Sequence, residues 1–158
     1  MSAVDLRMTV NGEAVAESVE PRVTLVDFVR ETLGLTGSHV GCEHGVCGAC
    51  TVRMDGSIVR GCLMLAVQCD GCRVETIEGV AGTGEAFDLQ QAFAQENALQ
   101  CGFCTPGMIL TAQDLLARKP AASVQDIREA LSGNYCRCTG YHAIVEAVRK
   151  TAEARTRP

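Results

Sequence analysis

Residues 41–50 read GCEHGVCGAC, which sets Cys42, Cys47 and Cys50 in a C-x4-C-x2-C run interleaved with Gly41, Gly45 and Gly48. Thiols this close in sequence serve one centre only if the backbone between them curls instead of extending. Glycine permits the curl: without Cβ it reaches positive φ at little cost and lets backbone amides approach the sulfurs. The spacing is the plant-type pattern for thiolates that hold a [2Fe–2S] cluster, with a fourth Cys farther along. Cys62 is the nearest candidate, because it follows a strand and turn that can return the chain to the loop. Spacing alone leaves Cys69 open as the alternative. At this point a zinc ribbon or a reactive thiol pair competes with the cluster.

The chain has 158 residues, ten of them Cys. Asp5 and Arg7 stand where a signal peptide carries its apolar region. No run approaches the roughly 18 apolar residues of a membrane span. The expectation is a cytoplasmic, reducing setting without a membrane, where dense Cys favours metal over disulfide. The formal net charge is −5, no basic run is present, and the aromatic residues are four Phe and two Tyr with no Trp. That composition lacks the electrostatic footprint and the stacking surface of a nucleic-acid binder. There is no GxGxxG, no P-loop and no Ser–His–Asp candidate, so substrate chemistry is not expected on this chain.

The first half reads as mixed β. Residues 4–10 alternate into Asn11-Gly12, a strong hairpin signal, and residues 14–19 return. Thr24 caps a short helix with Leu25, Phe28, Val29 and Leu33 inward, ending at Gly34. Thr51–Met54 and Ser57–Arg60 flank a second hairpin turn, Asp55-Gly56, and residues 73–77 close the sheet. EGVAGTG, residues 78–84, is expected to be a linker. Helices follow: one capped by Asp88, one opened by Thr105-Pro106 and ending before Pro120, one begun by the Ser123/Asp126 capping box, and one lined by Ile144, Val145, Val148 and Ala152. The expected fold class is α+β, with domains over residues 1–79 and 80–158, the second a four-helix bundle.

That second domain carries its own cysteines. Cys101 and Cys104 precede a helix start, and Cys136 and Cys138 lie between the last two helices, 31 residues further on. The pairs meet only if the helices fold back on one another. A helix N-terminus favours thiolate charge through its free amides and macrodipole. The C-x-C pair is unusual for structural zinc, whose pairs enclose two or more residues, so a second iron–sulfur cluster is the favoured reading. Arg137, between two of these Cys, is a candidate to raise the potential of its centre, with a surface ion pair as the alternative. His39, His44 and His142 read as surface or packing residues, and Cys69 and Cys72 as free thiols. Cys42-Glu43-His44 has no C-x2-H partner for Rieske ligation.

GCEHGVCGACTV followed by Cys62, then QCGFCTPGM and GNYCRCTGY, in this order and with these gaps, resemble the small iron–sulfur subunit of the molybdenum hydroxylases, the xanthine dehydrogenase family. The similarity covers nearly the whole chain. It implies a β-grasp, plant-type ferredoxin-like domain followed by a helical domain, each with one [2Fe–2S] cluster. It implies Cys42, Cys47, Cys50 and Cys62 as ligands of a distal cluster, and so chooses Cys62 over Cys69. It implies Cys101, Cys104, Cys136 and Cys138 as ligands of a cluster proximal to molybdenum. Gln100 and Cys138 are implied to lie against the pyranopterin of a molybdopterin cytosine dinucleotide. The partners implied are a molybdopterin-binding large subunit and an FAD-binding medium subunit, in a dimer of heterotrimers. Electrons leave molybdenum singly and this chain carries them to FAD, while substrate selection belongs to another chain. Two other classes are weighed: a free ferredoxin, which explains the first half alone, and a zinc-stabilised binding module.

Overall fold

Asn11 and Gly12 both adopt positive φ, 52° and 86°, the geometry that matches a two-residue turn to the twist of its flanking strands. They join β1 (Val4–Val10) to β2 (Glu13–Val19) in an antiparallel pair. Asp55 and Gly56 repeat the device, at 48° and 83°, between β3 (Thr51–Met54) and β4 (Ser57–Arg60). The computed structural model describes residues 3–157, so the expected domain limits at Met1 and Pro158 lie outside the described residues. A short β5 (Arg73–Glu75) completes a sheet of order β2-β1-β5-β3-β4, parallel to β1 and antiparallel to β3.

One face of the sheet is covered by α1 (Leu25–Asp27), which widens into a π-helical turn over Phe28–Thr32. Thr24 caps it, its hydroxyl accepting from the Asp27 amide at 3.2 Å, and Gly34 at φ 70° ends it. Leu25, Phe28 and Val29 are fully buried against Leu6, Val52 and Val74. Each such side chain stabilises the fold by about 1.5–3 kcal/mol. This is the β-grasp arrangement expected.

Two sequence expectations fail just beyond the sheet. The closing strand stops at Glu75, and most of the expected linker is α2 (Ile77–Gly82). Gly79 looks like flexibility in the sequence but serves close approach: a Cβ on it would fall on the Asn11 side chain. Asn11 meanwhile pairs with Thr76, Nδ2 to Oγ1 at 3.0 Å and Thr76 N to Oδ1 at 2.8 Å. Val80 is buried in the helical core.

That core is enclosed by α3 (Phe87–Gln95), α4 (Thr105–Arg118), α5 (Val124–Leu131) and α6 (His142–Thr156). Phe93, Met108, Ile127, Ile144 and Val148 form its centre. The Ser123/Asp126 capping box forms, with Ser123 N donating to Asp126 Oδ2 at 2.8 Å. Asp88 is not a cap: α3 starts one residue before it, and its carboxylate takes the Arg155 fork at 2.7 and 2.8 Å. Thr105 is likewise inside its helix, capped by Cys104.

The two halves meet tightly. Gly48, at φ 75°, turns its carbonyl into the helical half, where Asn134 Nδ2 donates to it at 3.2 Å. A Cβ on Gly107 of α4 would overlap that same oxygen. Gly107→Ala is therefore expected to lower stability by about 1–3 kcal/mol, the range for overpacking a close contact. A denaturant midpoint equal to wild type would show that the seam yields freely.

Candidate metal centres

The 41–50 loop wraps amides around sulfur. Cys47 N lies 3.4 Å from Cys42 Sγ. The backbone amides of Cys47 and His44 are the main reasons the Cys42 thiol falls to about 6, against a small opposing effect of burial. Leu63 packs against Gly45, whose φ of 82° and missing Cβ leave it room. Cys50 is buried, which pushes its thiol up to about 11; the Cys62 backbone donates to it and the Cys62 thiol sits beside it. Cys69 is in the sheet core, its thiol pushed to about 11 by burial, with Cys72 and Asp55 as its charged neighbours.

The second set assembles as the helices fold back. Cys101 and Cys138, both exposed, bring their Sγ atoms to 3.5 Å. Cys104 meets Cys136, and burial first, then the Cys136 thiol, pushes Cys104 up to about 12. The helix terminus expected to favour thiolate there is outweighed by desolvation. At Cys136 burial is the largest single influence, yet the Thr139 hydroxyl and the amides of Thr139 and Cys138 overcome it and lower the thiol. Thr139 Oγ1 donates to Cys136 Sγ at 3.1 Å. Tyr141 holds the loop from behind: its OH accepts from Cys136 N at 2.9 Å and donates to Asn134 O at 3.1 Å. Its backbone, at a left-handed φ of 69°, is held by Tyr141 N donating to Thr139 Oγ1 at 3.2 Å.

Each set of four thus lies as two neighbouring pairs, Cys42 with Cys47 and Cys50 with Cys62, Cys101 with Cys138 and Cys104 with Cys136. Two pairs of thiols are the donor set of a two-iron cluster, in which each iron takes two protein sulfurs. Among the described residues no three His, Cys, Asp or Glu side chains gather at a point suited to one ion. The sets approach each other across the seam, where Tyr135 N donates to Cys47 O at 2.8 Å. His39 joins them as a packing residue, stacked on Phe103 at 4.5 Å and donating from Nδ1 to its carbonyl at 2.9 Å. Gln100 is exposed and donates to Cys138 O at 3.0 Å, so the two residues expected at the pterin are neighbours. Arg137 is exposed and makes no hydrogen bond or ion pair among the described residues.

Residues 76–149 match the family model described as a [2Fe-2S] binding domain, and residues 8–66 the one described as a 2Fe-2S iron-sulfur cluster binding domain. The chain is 49% identical over 155 residues to caffeine dehydrogenase subunit gamma of Pseudomonas sp. (strain CBB1), spanning 96% of this chain and 93% of that one. It is 50% identical over 145 residues to the nicotine 6-hydroxylase small subunit of Paenarthrobacter nicotinovorans, spanning 92% and 87%. The chain belongs to the iron–sulfur subunits of the molybdenum hydroxylases. A chain of quinoline 2-oxidoreductase from Pseudomonas putida 86 superposes on this subunit with a TM-score of 0.91 and 49% identity, covering 98% of this chain and 97% of that one.

Sequence reading missed Arg60, Thr111 and Asn134 in this iron–sulfur subunit, because each acts through a partner distant in sequence, and Tyr141, whose hydroxyl bonds within its own loop in no recognisable spacing. The burial of Thr111 and Asn134, polar residues 3% and 1% exposed, flags such a role, and burial is not visible in sequence. In the metal-free subunit, Cys42 is expected to be alkylated fastest by iodoacetamide at pH 7, its rate falling as pH drops through about 6. Cys104, near 12, is expected to react slowest. Peptide mass spectrometry gives the order, and equal rates at the two residues would remove the role assigned to the loop amides.

Proposed function

We propose that this chain is the electron-transfer subunit of a heterotrimeric molybdenum hydroxylase, carrying electrons from a molybdopterin site on a large subunit to FAD on a medium one. Cys42, Cys47, Cys50 and Cys62 hold the distal [2Fe–2S] cluster, and Cys101, Cys104, Cys136 and Cys138 the proximal one. Gln100 and Cys138 contact the pyranopterin of a molybdopterin cytosine dinucleotide, and the heterotrimers pair in a cytoplasmic complex. The domains divide near residue 80. When bound, each cluster accepts and returns one electron at a potential set by its surroundings.

The observation that carries this reading is the hydrogen bond from Tyr135 N to Cys47 O. Cys47 belongs to one thiol set, and Tyr135 is bonded directly to Cys136 of the other. A short path of covalent bonds and one hydrogen bond therefore joins the two sets across the seam. The chain also prepares its sulfurs for added negative charge. The Cys47 amide on Cys42 and the Thr139 hydroxyl on Cys136 stabilise the reduced state and raise its potential. Leu99, Phe103 and Tyr135, neighbours in sequence of Gln100, Cys104 and Cys136, are 40%, 45% and 55% exposed and offer apolar surface suited to a partner subunit.

The purified complex is expected to contain the iron and acid-labile sulfide of two [2Fe–2S] clusters per chain, with two distinct paramagnetic resonance signals after dithionite. Cys104→Ser is expected to remove one signal and stop flavin reduction by substrate. Flavin turnover that survives the loss of that signal would reject the route.

A further inference from the structure

Arg60 ends β4, two residues before Cys62. Its guanidinium crosses the seam. Nη1 donates to Thr51 Oγ1, and Nη2 donates to Gly133 O at 2.7 Å with Asn134 Oδ1 at 3.5 Å. Thr51 is bonded to Cys50, and Gly133-Asn134-Tyr135 leads into Cys136. The fork therefore grips a side-chain hydroxyl beside one thiol set and the backbone beside the other. Thr51 Oγ1 passes the linkage on, donating to Gly48 O at 2.6 Å, the same oxygen that Asn134 Nδ2 reaches. The fit is close enough that a Cβ on Gly133 would stand 2.8 Å from Nη2.

The charge on this group is as informative as its geometry. Arg53, the other arginine spanning the halves, is neutralised by Glu75 and Glu85, each at 2.7 Å. Arg60 is half-buried and takes only neutral oxygens, with no carboxylate within 4.0 Å among the described residues. A partly desolvated cation without a counter-ion is unfavourable. Thiolates and sulfides outweigh two ferric ions in charge, so each cluster is anionic and becomes more so on reduction. The negative charge that Arg60 lacks is what the two clusters bring to either side of it.

We propose that Arg60 is the positioning residue for electron transfer between the two halves: its fork keeps the Cys47–Tyr135 contact closed, and its unpaired charge stabilises an added electron on either side. The inference rests on the assignment of the two thiol sets to two clusters. With both clusters bound, one electron would leave the reduced centre of the helical half and be taken up by the oxidised centre of the ferredoxin-like half. No bond is broken and no proton moves.

The test uses the whole complex with Arg60→Gln and Arg60→Lys. In Arg60→Gln both resonance signals are expected to remain, with both midpoint potentials lowered and amide exchange at Tyr135 accelerated. Appearance of the second signal, followed by rapid freezing after a pulse of reductant, is expected to slow by roughly tenfold, the effect of about 1.4 kcal/mol. Lysine keeps the charge but lacks the fork, so Arg60→Lys is expected to hold the potentials near wild type while Tyr135 exchange still accelerates. Wild-type potentials and exchange in Arg60→Gln would overturn the proposal. So would equal potential losses in both variants, which describe a structural role alone. If Arg60→Gln does not assemble, Arg60→Lys decides, and wild-type exchange there overturns the clamp. A wild-type complex with one signal would instead overturn the two-cluster assignment on which the inference rests.

Discussion

The Gly48 carbonyl oxygen is the atom on which both halves of the subunit bear. It accepts from Thr51 N at 3.2 Å, Thr51 Oγ1 at 2.6 Å and Asn134 Nδ2 at 3.2 Å, and Gly107 of α4 lies against it. A buried carbonyl needs partners, and here the partners come from two domains. Because Gly48 stands between Cys47 and Cys50, the bonds that join the halves also set the curl of the first thiol loop. Asn134 does the same for the second: its Oδ1 accepts from Thr111 at 3.1 Å and its backbone oxygen from Tyr141. Neither loop has its shape independently of the other.

The features legible in sequence are those fixed by covalent spacing or by a single residue's stereochemistry. Asn11-Gly12 and Asp55-Gly56 announce their hairpins because few other residues tolerate positive φ. The two cysteine sets are legible because ligand spacing is a local property. Residues 78–84 mislead because glycine for close packing and glycine for flexibility look alike: Gly79 is explained only by Asn11, distant in sequence at the first hairpin turn. Asp88 has the composition of a cap, but a distant Arg155 claims its carboxylate. Gly133-Asn134 reads as punctuation before Cys136, and its role in the seam depends on Gly48 and Arg60, which no local pattern connects to it.

Each thiol set is mixed before any metal arrives. Amides draw Cys42 down to about 6 while burial holds its set-mate Cys50 near 11, and Cys136 is lowered while burial holds Cys104 near 12. Thiolate is the ligand form, so in both halves one sulfur is readied as an anion and a desolvated one must release a proton, which makes loading of either site proton-coupled.

Arg53 lies on β3 and binds Glu75, just before α2, and Glu85, just after it. Glu85 also accepts from Gln113 of α4 at 3.0 Å, and its carboxyl is held below the usual range, chiefly by Arg53. The segment that sequence marks as a tether is therefore spanned at both ends by one side chain. Many redox proteins swing a carrier domain between donor and acceptor, and their rates depend on that excursion. Here the spacing of the two thiol sets is fixed when the chain folds, and no such excursion is needed to bring them together.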